Sequence, residues 1–329
     1  MNIQYLIKAG CYVTAALGLH LLLIFLWDVS NTKTRIVETT LNKYRAQAAK
    51  ADVVFLGDSH ILYGVDVRHN SHLFNLAQRG ENYTQHYYKL KKLIDDGVFR
   101  AKYVVLPFNI SSFSDYRDTS IAPENEWASL VDFWELAQIT GRYKYFVPVV
   151  LRTQLPYLGT GVDIMKNAVK QIHKGKRIDP YPEDAFEPGL GDWSKIPKQE
   201  QLTQTKVRVE QNQFRNHKNN NLFLSKTMLT YFTKTVQMLE KNGAKVIGIR
   251  YPMTKEYIDV LKAYMSIDDM WAMIEKEVVS KFNVPVLDFM DLMIDEPNKF
   301  FDMDHLNPSG AKKLGLVIEN SLKDMKIIP

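Results

Sequence analysis

Val53-Val54-Phe55-Leu56-Gly57-Asp58-Ser59-His60 is an apolar run that stops abruptly at a glycine, an acid and a serine. Four β-prone apolar residues in a row suit a strand buried on both faces, as in a parallel sheet, where strict alternation is not needed. The small polar residues that follow suit the loop at the strand's carboxyl end, where open α/β sheets place their ligands. A serine there is open to substrate while the strand behind it holds its backbone, which makes Ser59 a candidate nucleophile.

The same unit recurs along the chain. His72–Ala77 reads as a second strand, followed by the loop Gln78–Asn82 and a helix with Tyr83, Tyr87, Leu90 and Ile94 at helical spacing that stops near Gly97. Lys102–Asn109 reads as a third strand ending in Asn109, Ser111 and Ser112. Later, Leu224, Met228, Phe232, Val236 and Leu239 mark a helix that ends at Gly243, followed by a strand over Lys245–Ile249. Helical sequence from Lys255 to Lys281 then leads to a last strand over Val284–Leu287. Such alternation predicts an α/β fold, a three-layer α/β/α sandwich around a parallel, flavodoxin-like sheet with right-handed crossovers. The domain spans residues 51–329 and is interrupted at about 115–221 by an insertion without clear strand–helix alternation. Within the insertion, Lys174–Lys198 carries four prolines and three glycines and reads as extended loop.

At 329 residues with 46% hydrophobic content the chain can bury a sizeable core. A net charge of +5 with mixed signs and no basic-aromatic stripe argues against nucleic acid as a partner. Residues 1–30 stand apart. Ala9–Trp27 contains no formally charged residue, and about 20 such residues span a bilayer core as a helix. Lys8 and Asp28 bracket the run, Tyr12 and Trp27 suit the interfaces, and no small-x-small cleavage site follows. The expectation is one retained N-terminal transmembrane helix, then a stalk helix over residues 31–50. Lys33, Arg35, Lys43 and Arg45 follow the segment, so the charge rule alone argues against exporting the body. Cys11 is the single cysteine, so no disulfide can form within the chain.

Near the end lies Asp302-Met303-Asp304-His305-Leu306-Asn307, just before the last helix. A serine hydroxyl is a poor nucleophile until a base accepts its proton, and the base needs a third group to hold its tautomer. His305 can be the base and Asp302 the orienting acid, with Asp304 as the rival. With Gly57-Asp58-Ser59 as first block, Asn75-Leu76-Ala77-Gln78-Arg79-Gly80 as second and Asp302…His305 as last, the chain resembles the SGNH, or GDSL-type, hydrolase superfamily.

That resemblance implies catalytic Ser59, Asp302 and His305, and an oxyanion hole built from Ser59, Gly80 and Asn109. The third block departs from the usual Gly-x-Asn-Asp, reading Pro107-Phe108-Asn109-Ile110, and His60 stands where an aliphatic residue is common. His60, Arg79 and Arg250 are carried as candidate substrate contacts. His60, His69, His72 and His86 form no tight i, i+4 pair and have no cysteine partner, so neither a metal nor another cofactor is expected.

The anchor and insertion further resemble membrane-attached SGNH proteins of bacterial envelopes. By that likeness the expected function is O-acyl, chiefly acetyl, transfer to or removal from an extracytoplasmic polysaccharide or cell-wall polymer. The protein would sit in the bacterial inner membrane, beside a polytopic membrane-bound O-acyltransferase, with its domain outside the cytoplasm. A lipid or small-ester hydrolase and a non-catalytic glycan-binding scaffold are the alternatives.

Overall fold

The computed structural model describes residues 3–30, 34–115, 117, 131, 192–213, 224–264 and 266–329. The chain divides into two compact units, Met1–Thr39 with Pro123–Glu183, and Thr40–Ala122 with Asp184–Pro329. In the first unit the described element is α1, Ile3–Ser30. Among the described residues no helix is long and apolar enough to cross a membrane. The side chains from Leu23 to Trp27, the most apolar part of the expected anchor, lie outside the described residues, as does most of the insertion.

The second unit is built on five strands, β1 (Val53–Phe55), β2 (Leu73–Asn75), β3 (Tyr103–Pro107), β4 (Lys245–Arg250) and β5 (Val286–Asp288), in the order β2-β1-β3-β4-β5. All four pairings are parallel, with Val53 opposite Leu73 and Tyr103, Tyr103 opposite Lys245, and Gly248 opposite Val286. Successive side chains of a strand point to opposite faces, and Val53, Val54 and Phe55 are all fully buried, as are Val104, Val105 and Leu106. Both faces of the central strands are therefore covered, which is why these runs are apolar without alternation. The strand order reverses between β1 and β3, so their carboxyl ends form the switch-point crevice of an open parallel sheet.

Helices α2 (Thr34–Gln47), α3 (Ser59–Gly64) and α4 (Tyr83–Asp95) lie in the first half of the chain. Helices α5 (Lys198–Gln213), α6 (Lys226–Lys241), α7 (Lys255–Tyr264), α8 (Ile267–Ile274) and α9 (Pro308–Asp324) follow. Asn82 caps α4 in a reciprocal capping box with Gln85. Tyr83 of α4 meets Phe113 and Phe232 of α6, with ring centroids 4.8 and 5.3 Å away, forming an aromatic core beside β3.

Four expectations need correction. The carboxyl half of the expected stalk is part of the domain: Leu41, Tyr44 and Ala48 are buried, and the Tyr44 ring packs edge-on to Phe74 at 5.3 Å. The insertion carries a regular helix, α5, whose buried face of Gln201, Thr205 and Val209 is mostly polar and so left no apolar period to read. The helical stretch from Lys255 is interrupted, because Ser266 caps a new helix. Finally, the turn after β1 is only three residues long, and Ser59 already opens α3.

Candidate active site

Ser59 is placed by its neighbours on both sides. Asp58 caps α3, its carboxylate accepting the His60 N–H at 3.0 Å, which holds the Ser59 backbone at the helix start. Gly57 is required by packing, since a Cβ there would lie 2.4 Å from Ile61 Cγ1. The second loop is tied to this one. The Asn75 amide donates to the Ile61 and Val65 carbonyls at 2.9 and 3.1 Å, and Gln78 N–H donates to the Gly57 carbonyl at 3.0 Å. Gly80, two residues further on, has φ +69°, a conformation glycine takes without strain.

His305 is presented by a tight loop before α9. Asp302 Oδ1 accepts the backbone N–H of Asp304 at 3.0 Å and of His305 at 2.8 Å, and Phe301 N–H donates to the His305 carbonyl at 2.8 Å. Asn307 caps α9, and its amide reaches back to the Asn298 carbonyl at 2.7 Å. The loop is thereby closed at both ends, which fixes the imidazole with few free torsions.

The two loops meet. Ser59 Oγ lies 2.8 Å from His305 Nε2, and His305 Nδ1 lies 3.0 Å from both oxygens of Asp302. Asp304 Oδ1 is also near, 3.1 Å from Nδ1, without hydrogen-bond geometry. Asp302 and its rival Asp304 thus both face the same ring nitrogen, and Asp302 makes the hydrogen bonds. Burial opposes charge on His305, but the nearby Asp304 carboxylate and the bonds to Asp302 push its pKa up to about 10.

Asn109 stands at the carboxyl end of β3. Its side-chain oxygen accepts the Tyr251 N–H at 2.8 Å, which orients the amide and leaves its nitrogen as the unused end among the described residues.

His60 is part-buried in the centre of the site. Its Nδ1 is 2.9 Å from Asp58 Oδ1, its Nε2 is 3.4 Å from Asp304 Oδ2, and its ring stacks on His305 with centroids 4.4 Å apart and planes 10° from parallel. Asp58 is backed by an ion pair with Arg117, and Asp304 by Arg208 Nε at 3.2 Å. Burial works against both carboxylates, yet the facing cations hold Asp58 and Asp304 well below the usual range, His60 and Arg117 acting on Asp58, His305 and His60 on Asp304.

Of the other expected contacts, Arg79 is exposed and lies over the Tyr63 ring at 5.4 Å. Arg250 is engaged elsewhere. It pairs with Asp288 at 2.5 Å, touches Met290 Sδ at 3.0 Å and stacks on Trp271 at 4.0 Å, because β4 and β5 are adjacent and bring Asp288 opposite it.

The four histidines considered together do not assemble: His69 pairs with Glu319, His72 with Asp52, and His86 is buried beside Glu81. Donor atoms of His60, Asp304 and His305 do converge within 4.8 Å, but their bonds to Asp58, Asp302 and Ser59 account for that convergence as a hydrogen-bond network. Sequence reasoning missed Arg117, Arg208 and Tyr251. The first two lie in the region without periodicity, and the third carried one signal, its place directly after a parallel strand.

A family model described as "Protein of unknown function (DUF1574)" matches residues 29–312, and the chain belongs to that family. No curated protein matches the chain. Among solved structures it is similar to a candidate acylhydrolase of Bacteroides fragilis, at 13% identity and TM-score 0.39, over 87% of this chain and 96% of that one. It is also similar to a GDSL-like lipase of Bacteroides thetaiotaomicron, at 12% identity and TM-score 0.39, over 90% of this chain and 99% of that one.

Proposed function

We propose that the chain is an SGNH-type serine esterase or O-acyltransferase. The observation that carries this reading is the Ser59–His305–Asp302 array, with Oγ 2.8 Å from Nε2 and both Asp302 oxygens 3.0 Å from Nδ1. Ser59 and His305 are 246 residues apart, and hydrogen-bond contact between nucleophile and base with a third group behind the base is the geometry acyl transfer requires. Ser59 Oγ attacks the acyl carbon as its proton passes to His305 Nε2. The carbonyl electrons move to the oxygen, where the Ser59 and Gly80 N–H groups and the Asn109 amide nitrogen serve as donors. Collapse of the intermediate expels an alcohol, which leaves with the proton from His305, and an acyl-serine remains. Water or a second alcohol then takes the acyl group by the reverse sequence, so hydrolysis and transfer share one site.

The reading extends to an anchored envelope enzyme. The uncharged run Ala9–Trp27 supports retention in the bacterial inner membrane, and the likeness to envelope SGNH proteins supports an extracytoplasmic domain acting on a polysaccharide or cell-wall polymer with a polytopic O-acyltransferase as partner. The test is mass spectrometry of the full chain after exposure to an activated acetyl ester, with and without glycan acceptor. A 1:1 adduct on Ser59, absent in Ser59→Ala and discharged faster by acceptor than by water, is expected. Labelling that survives Ser59→Ala would sink the proposal.

A further inference from the structure

The two imidazoles of the site have different partners. His305 faces carboxylates through Nδ1 but a hydroxyl through Nε2, so it can be neutral, accepting a proton from Ser59. His60 faces a carboxylate oxygen through each nitrogen, Asp58 at 2.9 Å and Asp304 at 3.4 Å. A carboxylate only accepts, and a neutral imidazole would set a lone pair against one of them; both nitrogens are satisfied only in the imidazolium. Its side chain is 12% exposed, so the charge is poorly screened from the His305 ring stacked on it at 4.4 Å.

We propose that His60 is a positioning residue for His305: a fixed imidazolium clamped between Asp58 and Asp304, which repels a proton on the stacked base and draws the Asp304 carboxylate away from it. The inference rests on His305 being the base, as proposed above. Two carboxylates face His305 Nδ1, which by itself would leave the base protonated at rest and unable to accept from Ser59. His60 and Arg208 share Asp304 Oδ2 and offset that charge. The groups facing the pair are therefore Ser59, Asp302 and Asp304 around His305, and Asp58, Asp304 and the Tyr251 ring edge at 5.4 Å around His60, with Arg117 and Arg208 behind the two acids.

The experiment compares the full-length protein with His60→Phe, which keeps a ring on His305 but no charge, and with Asp304→Asn, which removes a carboxylate. The imidazole of His305 is titrated by NMR, and the rising limb of kcat/KM for an activated acetyl ester is followed against pH. His60→Phe is expected to move both midpoints up by about one to two pH units, the scale for two charges at this distance. Asp304→Asn is expected to move them down. A His60→Phe protein with lower activity at every pH but an unmoved His305 midpoint overturns the proposal. If His60→Phe does not fold, an Asp304→Asn midpoint that stays put or rises overturns it instead. The NMR titration needs no turnover, so a protein without esterase activity refutes the catalytic reading while the His305 midpoint still decides this one.

Discussion

Replacing His86 with phenylalanine tests the buried polar layer beneath the site. His86 is 1% exposed and lies among Glu81, 3.8 Å from its Nε2, and the charges of Lys89, Asp58 and Arg117. Burial, then Lys89, pushes its pKa down to about 3 from an ordinary 6.5. The unfolded chain thus takes up a proton below pH 6.5 that the folded chain refuses, and stability is lost as the pH falls. Between pH 7 and pH 5 the loss is about 2 kcal/mol. Glu81 acts in the opposite sense. Burial raises it from 4.5 to about 7 despite its ion pair with Lys89, so the folded chain protonates first and gains about 2 kcal/mol over the same interval.

In the native protein these two contributions nearly cancel. In His86→Phe only the gain remains, so its stability relative to wild type should improve by about 2 kcal/mol on going from pH 7 to pH 5. Urea unfolding of both proteins at the two pH values, followed by tryptophan fluorescence and far-UV circular dichroism, measures this difference of differences. Other carboxylates shared by both proteins, Asp58 and Asp304 among them, drop out of it. A pH-independent offset between the two proteins would refute the assignment of His86 as a neutral buried imidazole.

Asn109→Ala and Asn109→Asp should each lower kcat about 100- to 1,000-fold with little change in KM, while Asp alone keeps an acceptor for the Tyr251 N–H; equal activity of Asp and wild type would remove Asn109 from the oxyanion hole. Gly80→Ala should cost about 1 kcal/mol through its φ of +69°, since open space surrounds the added Cβ, and an unchanged Tm would contradict that conformation. Lys89→Met strands buried Glu81 and should destabilise by about 3 kcal/mol or more in chemical unfolding, with Glu81→Gln added in the same chain recovering most of it. The esterase rate of wild type should climb with pH as His305, whose pKa the facing carboxylates raise, loses its proton; a rate that falls as the pH rises from 6 to 9 would speak against His305 as the base.

The parallel sheet and the two catalytic loops were legible in the chain because their signals are local. Val53–Leu56 is apolar on both faces because both are covered, Gly57 and Asp58 are dictated by a turn and a cap, and Asp302 stands three residues before His305 because one tight loop holds both. Nothing local reveals the rest. Asp58 meets Arg117 across 59 residues and Asp304 meets Arg208 across 96, through single charged side chains that look like surface residues until the fold buries them. Gln201 and Thr205 hide a helix because polar groups face inward there. Above all, His60 read as a departure from the usual aliphatic residue and a candidate substrate contact, whereas packing of the loop before α9 against α3 turns it into the doubly anchored partner of His305. Hydrophobic period and turn chemistry are written in neighbouring residues; a buried charge network exists only once distant loops have closed on one another.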